Sequence, residues 1–518
     1  MAETKREIER KYEATGETPV PDLARVPGVA AVVDRGVMEL DAVYYDTPDL
    51  RLAADALTLR RRTGGDDAGW HLKFPVDTGI RDEIRAPLAD TLPGELAGLL
   101  RSRVRGGEVV PVVRLRSARD VRHLVDADGT LLAELSVDTV HAERLPKGKG
   151  KGKGKGKGKG KGTEATWTEI EVELADGTDP ALLDAVEKRL GKKGITPSAS
   201  ASKLARALAD TGDAPRPPAA PGEPGTAGAA VLAYAREQIE AIVAQDPAVR
   251  RDLPDAVHQL RVACRRLRSA FKTYRRVLDR DVTDPLGEEL KWLAGELGVA
   301  RDQEVLDERL RARVEDLPRT LVLGPVKARL RRRHAARGRS ARHQALAALD
   351  SARYLSLLDG LDALLADPPL RKAAGRSAEK VLAKAVRKDH GRLATRIERA
   401  LALDPGEERD LALHEARKAA KRARYAADAA RPTLGKPAKR LSKRVKAVQS
   451  LLGEHQDAVV ARGAVRELGL VAHGVGESAF TWGLLYGHEE AAAEAAEREL
   501  PEVWARASAP GLTAALTR

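Results

Sequence analysis

The chain has 518 residues, 42% of them hydrophobic but only 3% aromatic, with one cysteine and a net charge of +13. That length supplies two or three domains with cores of their own, and a lone cysteine excludes a disulfide framework or a cysteine zinc site, which fits a reducing cytoplasm. No apolar run approaches the roughly 20 residues of a spanning helix and the opening stretch is charged throughout, so the sequence predicts a soluble cytoplasmic protein with no membrane partner.

Charge divides unevenly along the chain. Residues 1–226 carry 36 Lys and Arg against 37 Asp and Glu, whereas residues 227–518 carry 54 against 40. Eight of the first half's lysines lie in the Lys-Gly alternation 147–162, so without that run the first half is acidic. The lasting basic character belongs to the second half.

From the N-terminus, alternating segments between turn signals predict antiparallel strands: REIERKYEA, ELDAVYYDT, LTLRRRT, GWHLKFP, IRDEIRA, PVVRLRSAR, LLAELSVDTVHAERL and WTEIEVEL. Side chains at i, i+2 and i+4 of a strand share a face. The first strand then groups Glu7, Glu9 and Lys11, the third Arg60 with Arg62, and the fourth His71 with Lys73. The fifth groups Arg81, Glu83 and Arg85, the sixth Arg114 with Arg116, the seventh Glu134, Ser136 and Asp138, and the eighth Glu169, Glu171 and Glu173.

A solvated outer face is the ordinary origin of one such charged row. Here, however, bases concentrate on some strands and acids on others. If these faces turn into a closed barrel, its lumen places carboxylates beside guanidinium and ammonium groups, a combination suited to a metal-bound polyphosphate. Carboxylates take Mg²⁺ or Mn²⁺ through oxygen, and Arg and Lys neutralise and orient phosphate oxygens.

The order Glu-x-Glu-x-Lys, Arg-x-Arg, the Lys73 strand, EIEVEL and the closing SKLARAL with Lys203 resembles the CYTH family, the triphosphate tunnel metalloenzymes, over about residues 3–210. The resemblance implies an eight-stranded antiparallel tunnel that hydrolyses a triphosphate with Mg²⁺ or Mn²⁺. It implies Glu7, Glu9 and Lys11 as catalytic, with Lys11, Arg60, Arg62, Lys73, Arg81, Arg114, Arg116 and Lys203 on phosphate, and Glu7, Glu9, Asp138, Glu169 and Glu171 on metal. His71 is expected as a hydrogen-bonding neighbour. Beyond Tyr44, Tyr45 and Trp70 there is little to build a base platform, so inorganic triphosphate is favoured over thiamine triphosphate, a nucleoside triphosphate or cyclic-AMP synthesis. The Lys-Gly run reads as a loop insertion between the last two strands.

Residues 211–228, TGDAPRPPAAPGEPGTAG, read as a linker between a domain at 1–210 and one at 229–515. Beyond it, Ala, Leu, Arg and Glu at helical spacing predict an all-α domain, giving an α+β chain of two domains. VHQLRVACRRLRSAF (257–271) aligns with LHEARKAAKRARYAA (413–427), and LGVARDQEV (297–305) with LGEHQDAVV (452–460), which predicts two related helical units. His258, Arg261, Arg265, Arg268 and Lys272 share one stripe of the first helix, as do His414, Arg417, Lys421 and Arg424 in the second; Arg266, Lys418 and Arg422 flank them, and Lys439 and Lys443 continue the basic series.

A solvated helix face usually mixes signs, whereas these stripes are nearly one sign and repel themselves unless an anion sits on them. This half resembles the CHAD family, the conserved-histidine α-helical domain, over about residues 229–510, which implies binding of inorganic polyphosphate. The combined expectation is an inorganic triphosphatase fused to a polyphosphate-binding module, with association with polyphosphate granules in view. The alternatives are a non-enzymatic polyphosphate-binding or granule-associated protein and, disfavoured by the scarcity of aromatics, a nucleic-acid binder. Oligomeric state is not set by the sequence.

Overall fold

The computed structural model describes residues 3–15, 17–65, 67–146, 163–212, 214–215 and 222–516, and the side chains of these except 299–301, 336–339 and 341. The Lys-Gly run 147–162 lies outside the described residues. The chain divides into two units, Met1–Pro218 and Ala219–Arg518.

Among the described residues of the first unit, eight strands form a closed antiparallel barrel: β1 (Glu3–Ala14), β2 (Ala31–Asp46), β3 (Thr58–Thr63), β4 (Gly69–Asp77), β5 (Ile80–Pro87), β6 (Val110–Val125), β7 (Leu131–Arg144) and β8 (Glu164–Leu174). The order around the barrel is β1-β5-β4-β3-β2-β6-β7-β8. Short helices decorate it: α1 (Arg51–Ala54), α2 (Gly94–Val104), α3 (Ala181–Gly191) and α4 (Lys203–Asp210).

Apolar residues lie mainly on the outside of this barrel, under the helices. Tyr12, Leu124, Ile170 and Val172 pack beneath Leu183, Val186 and Leu190 of α3. Leu59, Trp70, Leu72 and Ile84 pack beneath Leu96, Leu99 and Leu100 of α2. The alternation of β1, β3, β4, β5, β7 and β8 then sends their charged rows inward, where burial demands partners. At one end the lumen is plugged by apolar groups, Val113 and Leu115 of β6 packing with Leu204, Ala207 and Leu208 of α4. The turn between β4 and β5 rests on β1: Glu9 N donates to Gly79 O at 2.9 Å, and a Cβ on Gly79, at φ +71°, would fall 2.7 Å from Glu9 O. Only glycine fits that turn.

The second unit is helical: α5 (Ala227–Arg250), α6 (Ala256–Thr273), α7 (Arg280–Glu296), α8 (Gly298–Glu315), α9 (Val326–Asp350), α10 (Ala352–Ala366), α11 (Ala378–Leu401), α12 (Glu407–Ala429), α13 (Arg431–Gly474), α14 (Phe480–Ala507) and α15 (Pro510–Ala514). The first repeat supplies α6 to α8 and the second α12 and α13, with α6 and α12 in contact. Leu260, Leu267 and Phe271 of α6 and Leu278 beyond it are buried in the main core, together with Leu413, Ala416, Ala420 and Ala423 of α12. No described helix is long and apolar enough to cross a membrane.

The expected linker runs two residues too far. Thr226 caps α5, accepting from Ala229 N, and Ala227 is fully buried while Gly228 N donates to Ala374 O at 2.9 Å. Small residues at the end of a Pro-Gly-Ala stretch serve here as a helix start pressed onto its neighbour.

Candidate functional site

The lumen of the barrel forms a cavity of about 210 Å³. Among the described residues, nine cationic side chains line it (Lys5, Lys11, Arg60, Arg62, Lys73, Arg81, Arg85, Arg119 and Lys203), with the carboxylates of Glu7, Glu9, Asp67, Glu134, Glu171 and Glu173. Strand register brings them together. Lys11 lies across from Glu171, Glu7 from Arg81, and Lys73 from Glu83, so partners face each other on neighbouring strands.

Each inward charge is answered within the lumen. Lys73 Nζ donates to Glu7 Oε2 at 2.6 Å, and Lys5 Nζ to Glu173 Oε1 at 2.6 Å. Lys11 bonds Glu171 and sits 3.2 Å from Glu9 Oε2. Arg119 is bidentate to Asp138, at 2.7 and 2.8 Å, and also donates to Glu171 at 2.8 Å. Lys203 is the first residue of α4, whose N-cap Ser202 accepts from Ala205 N. That cap aims the ammonium into the lumen, where Nζ lies 2.9 Å from Asp138 Oδ2, 2.8 Å from Glu169 Oε1 and 2.5 Å from Glu171 Oε1.

The electrostatic consequence differs from wall to wall. Burial pushes the Glu7 carboxyl up, with Glu83 and Glu173 adding to the shift and Lys73 opposing it. Burial also works against ionised Glu9 and Glu171, but Lys11 and the other nearby cations outweigh it and hold Glu9 below, and Glu171 well below, the usual carboxylate range. Lys203, buried yet ringed by Asp138, Glu171 and Glu169, is raised.

Asp138, Glu169 and Glu171 offer one oxygen each within 4.8 Å of one another. Glu169 Oε1 is buried and accepts no well-aligned hydrogen bond, despite its closeness to Lys203. A cluster of hard oxygen donors with one unsatisfied lone pair fits a divalent cation of the Mg²⁺ or Mn²⁺ type. Glu9 approaches this cluster through Lys11, whereas Glu7 faces Lys73 and Arg81, so the five expected metal ligands are not a single group.

Of the expected phosphate-holding residues, the lumen contains Lys11, Arg60, Arg62, Lys73, Arg81 and Lys203. Arg114 and Arg116 lie elsewhere. They are on the outer face of β6, where Arg114 is paired with Asp41 and the Arg116 side chain is 58% exposed. The inward set of β6 is instead Val113, Leu115 and Arg119, across from Tyr44, Ala42 and Met38. Arg119 and Lys5 join the lining without having been singled out by the sequence, and Arg85, grouped there with Arg81 and Glu83 but not assigned to phosphate, joins it too; for Arg119 the signal was the opposite parity of the same strand. His71 does act as a neighbour, with Nδ1 2.8 Å from Glu83 Oε1 and Nε2 2.8 Å from Asp67 O. Trp70 and Tyr45 meet as a tilted pair, ring centroids 4.9 Å apart, on the barrel's outside, leaving Tyr44 the one aromatic ring among the described lining residues.

In the helical unit, the two basic stripes meet. Arg261 and Arg265 of α6 and Arg417 of α12 all act on Lys421 of α12, whose ammonium is pushed down to about 7, first by burial and then by those guanidinium groups. One pair of aligned positions thus acts directly across the two helices, Arg265 on its counterpart Lys421. The aligned aspartates explain the motif that follows each helix: Asp302 accepts from Arg261 at 3.0 Å, and Asp457 lies 3.7 Å from Arg417. Gly298 of the first motif is pressed so close that a Cβ would meet Arg261 Nη2 at 2.8 Å.

The remaining basic candidates spread over three places. Arg268, Lys272 and Arg422 line a cavity of about 400 Å³ with Arg275, Arg280 and Arg392, three residues that sequence spacing did not reveal. Arg422 is anchored there by Asp389 at 3.0 Å and by the Lys272 carbonyl at 2.8 Å. Arg266 and Arg424 lie over the Tyr425 ring, at 5.8 and 5.2 Å, and Arg424 donates to Gln449. Lys418, paired with Glu415, and Lys439 and Lys443 of α13 are exposed. His258 is half-buried, and His414 bonds Gln456 through Nδ1. The buried Nε atoms of Arg261, Arg265, Arg266, Arg268 and Arg417 have no hydrogen-bond partner among the described residues.

A closed antiparallel barrel with a charged lumen, joined to a helical unit built on two basic repeats, defines a two-domain protein with a charged tunnel and a basic helical unit. Residues 5–208 match the model of the CYTH domain and residues 233–466 that of the CHAD domain. The uncharacterized protein Rv2226 of Mycobacterium tuberculosis is 38% identical over 506 residues, 95% of this chain and 94% of its own. Among solved structures, PptA from Streptomyces chartreusis is 23% identical and covers 54% of this chain and 99% of its own, with a TM-score of 0.45. The CHAD domain from the plant Ricinus communis is 26% identical and covers 56% and 96%, with a TM-score of 0.44. The chain belongs to the family in which a CYTH domain is followed by a CHAD domain.

Proposed function

We propose that the barrel hydrolyses inorganic triphosphate with Mg²⁺ or Mn²⁺ and that the helical unit binds inorganic polyphosphate. The observation that carries this reading is the lining of the lumen, which among the described residues has nine cations, a carboxylate cluster behind them, and one aromatic ring. Such a site recognises phosphate and offers no base platform.

Lys11, Arg60, Lys73, Arg81, Arg119 and Lys203 grip the phosphate oxygens, exchanging internal carboxylate partners for the ligand. Asp138, Glu169 and Glu171 would hold the metal, with Glu9 nearby. A divalent cation bound there supplies charge neutralisation on the phosphoryl group and acidifies a bound water. The apolar plug of Leu204, Ala207 and Leu208 excludes water from the far end of the lumen. In the helical unit, unpaired guanidinium nitrogens and facing like charges support a polyanion as ligand. The single cysteine, Cys264, is a buried free thiol, which supports a cytoplasmic setting, and a polyphosphate-binding unit supports association with granules.

Phosphate release from inorganic triphosphate, measured with Mg²⁺ or Mn²⁺, tests the enzyme: Glu9→Ala is expected to lose most of it, and equal release from both proteins overturns the tunnel assignment. One observation favours a second reading, a polyphosphate binder without turnover: Lys203 already occupies the carboxylate cluster. Triphosphate binding without phosphate release would select it. Duplex DNA that displaced polyphosphate at equal phosphate concentration would instead identify a nucleic-acid site.

A further inference from the structure

Away from the basic groove, one nitrogen of the helical unit faces two carboxylates. His455 of α13 is 2% exposed, and its Nε2 lies 3.2 Å from Asp410 Oδ1 on α12 and 3.2 Å from Glu497 Oε1 on α14. The other oxygen of each acid faces an arginine: Asp410 Oδ2 accepts from Arg462 Nη2 at 2.8 Å, and Glu497 Oε2 stands in an ion pair 2.9 Å from Arg409 Nε. Three helices therefore each aim one donor atom at a common point, the three lying within 4.8 Å of one another.

A single imidazole nitrogen carries one proton or one lone pair, so it serves one of the two oxygens well and not both. Two carboxylate oxygens directed at the same spot also repel each other. A cation between the three donors resolves both conflicts. With metal-to-ligand bonds of about 2.0–2.2 Å, adjacent donors of a tetrahedral or octahedral shell stand about 3.0–3.4 Å apart, and both nitrogen-to-oxygen spacings fall in that range. Arg409 and Arg462 take the outer role that ordered metal sites require, fixing each carboxylate while leaving its inner oxygen available.

We infer that Asp410, His455 and Glu497 form a binding site for a divalent transition cation of the zinc class, which ties α12, α13 and α14 together. An imidazole with two carboxylates suits such an ion better than Mg²⁺, which prefers oxygen donors alone. The site is not repeated in the two helical units. In the repeat alignment the positions opposite Asp410 and His455 are Pro254 and Ala300, so the first repeat has no counterpart, and Glu497 lies beyond the residues that match the CHAD model.

The full-length chain, stripped with a chelator, is dialysed against Zn²⁺ in excess Mg²⁺, which holds the oxygen-only cluster of the barrel. Wild type is expected to retain one more equivalent of Zn²⁺ than either His455→Gln or Glu497→Gln, and Zn²⁺ is expected to raise the melting temperature of wild type alone. Glu497→Gln keeps the shape of the side chain and the imidazole, so its zinc count is read on a folded protein even where His455→Gln loses helicity. Equal zinc content in wild type and Glu497→Gln, or no zinc-dependent thermal shift in wild type, overturns the site.

Discussion

Replacing Lys203 by Met removes one ammonium from the lumen and keeps the length of the side chain. Three carboxylates lose a partner that stood 2.5–2.9 Å away, and they are 0, 3 and 8% exposed at Asp138, Glu169 and Glu171. Arg119 and Lys11 remain as their cations. Breaking a buried pair by deleting one side costs about 3–5 kcal/mol. The pH dependence follows from the direction of each shift. In wild type, Asp138 and Glu171 are held low despite burial, so their stabilising ionisation is complete above the unfolded carboxylate value of about 4 and is lost only as pH falls through the lowered folded values. In the variant, burial and mutual repulsion lift them above that value, and the folded state then gains from protons in mildly acidic solution. The deficit is expected to be about 3–5 kcal/mol at neutral pH and smaller near pH 5, with Mn²⁺ stabilising the variant more than wild type. Urea unfolding read by hydrogen exchange in β8 peptides isolates the barrel from the helical unit. A deficit below about 1 kcal/mol at neutral pH, or one unchanged near pH 5, would refute internal neutralisation of the lumen.

Arg119→Ala is expected to weaken triphosphate binding about 10-fold or more, the worth of a hydrogen bond to a charged group, while Arg114→Ala and Arg116→Ala stay near wild type in a calorimetric titration. Lys421 is pushed down to about 7 and a phosphate ligand would favour its protonated form, so polyphosphate affinity is expected to fall as pH rises through that value. The same titration in two buffers of different ionisation enthalpy should detect proton uptake near pH 8 in wild type and less in Lys421→Met. Deleting residues 147–162 should leave phosphate release and melting temperature near wild type, because the β7–β8 ladder already closes at Glu143 against Glu164, with Arg144 N donating to Thr163 O at 2.8 Å.

The barrel was legible because a strand's period of two writes its faces directly into the chain. The opening Glu7, Glu9 and Lys11 and the closing Glu169 and Glu171 needed no tertiary knowledge to be placed on one side. β6 misled because its inward residues begin as Val113 and Leu115, apolar where α4 plugs the lumen, and become charged only at Arg119. The visible pair Arg114 and Arg116 therefore reads as the functional face. The plug is a contact between segments about 90 residues apart, and no local pattern announces it. The helical stripes were legible from their 3.6-residue spacing, and the repeat alignment supplied the correspondence of Arg261 with Arg417. What could not be read was the flank formed by Arg275, Arg280 and Arg392, which come from a turn and from the helices α7 and α11 and share no spacing. The Asp410–His455–Glu497 group escaped for the same reason, each member arriving on a different helix.

The pairing of lumen cations with lumen carboxylates changes how ionic strength should act on the two units. A bare cationic surface gathers dissolved counterions and releases them when a polyanion lands, so its affinity falls steeply with added salt. In the barrel the counterions are tethered to the protein itself, and none leaves when phosphate takes their place. Ligand capture there is an exchange between fixed partners, expected to be nearly indifferent to salt, while the helical groove should release its polyphosphate as salt rises.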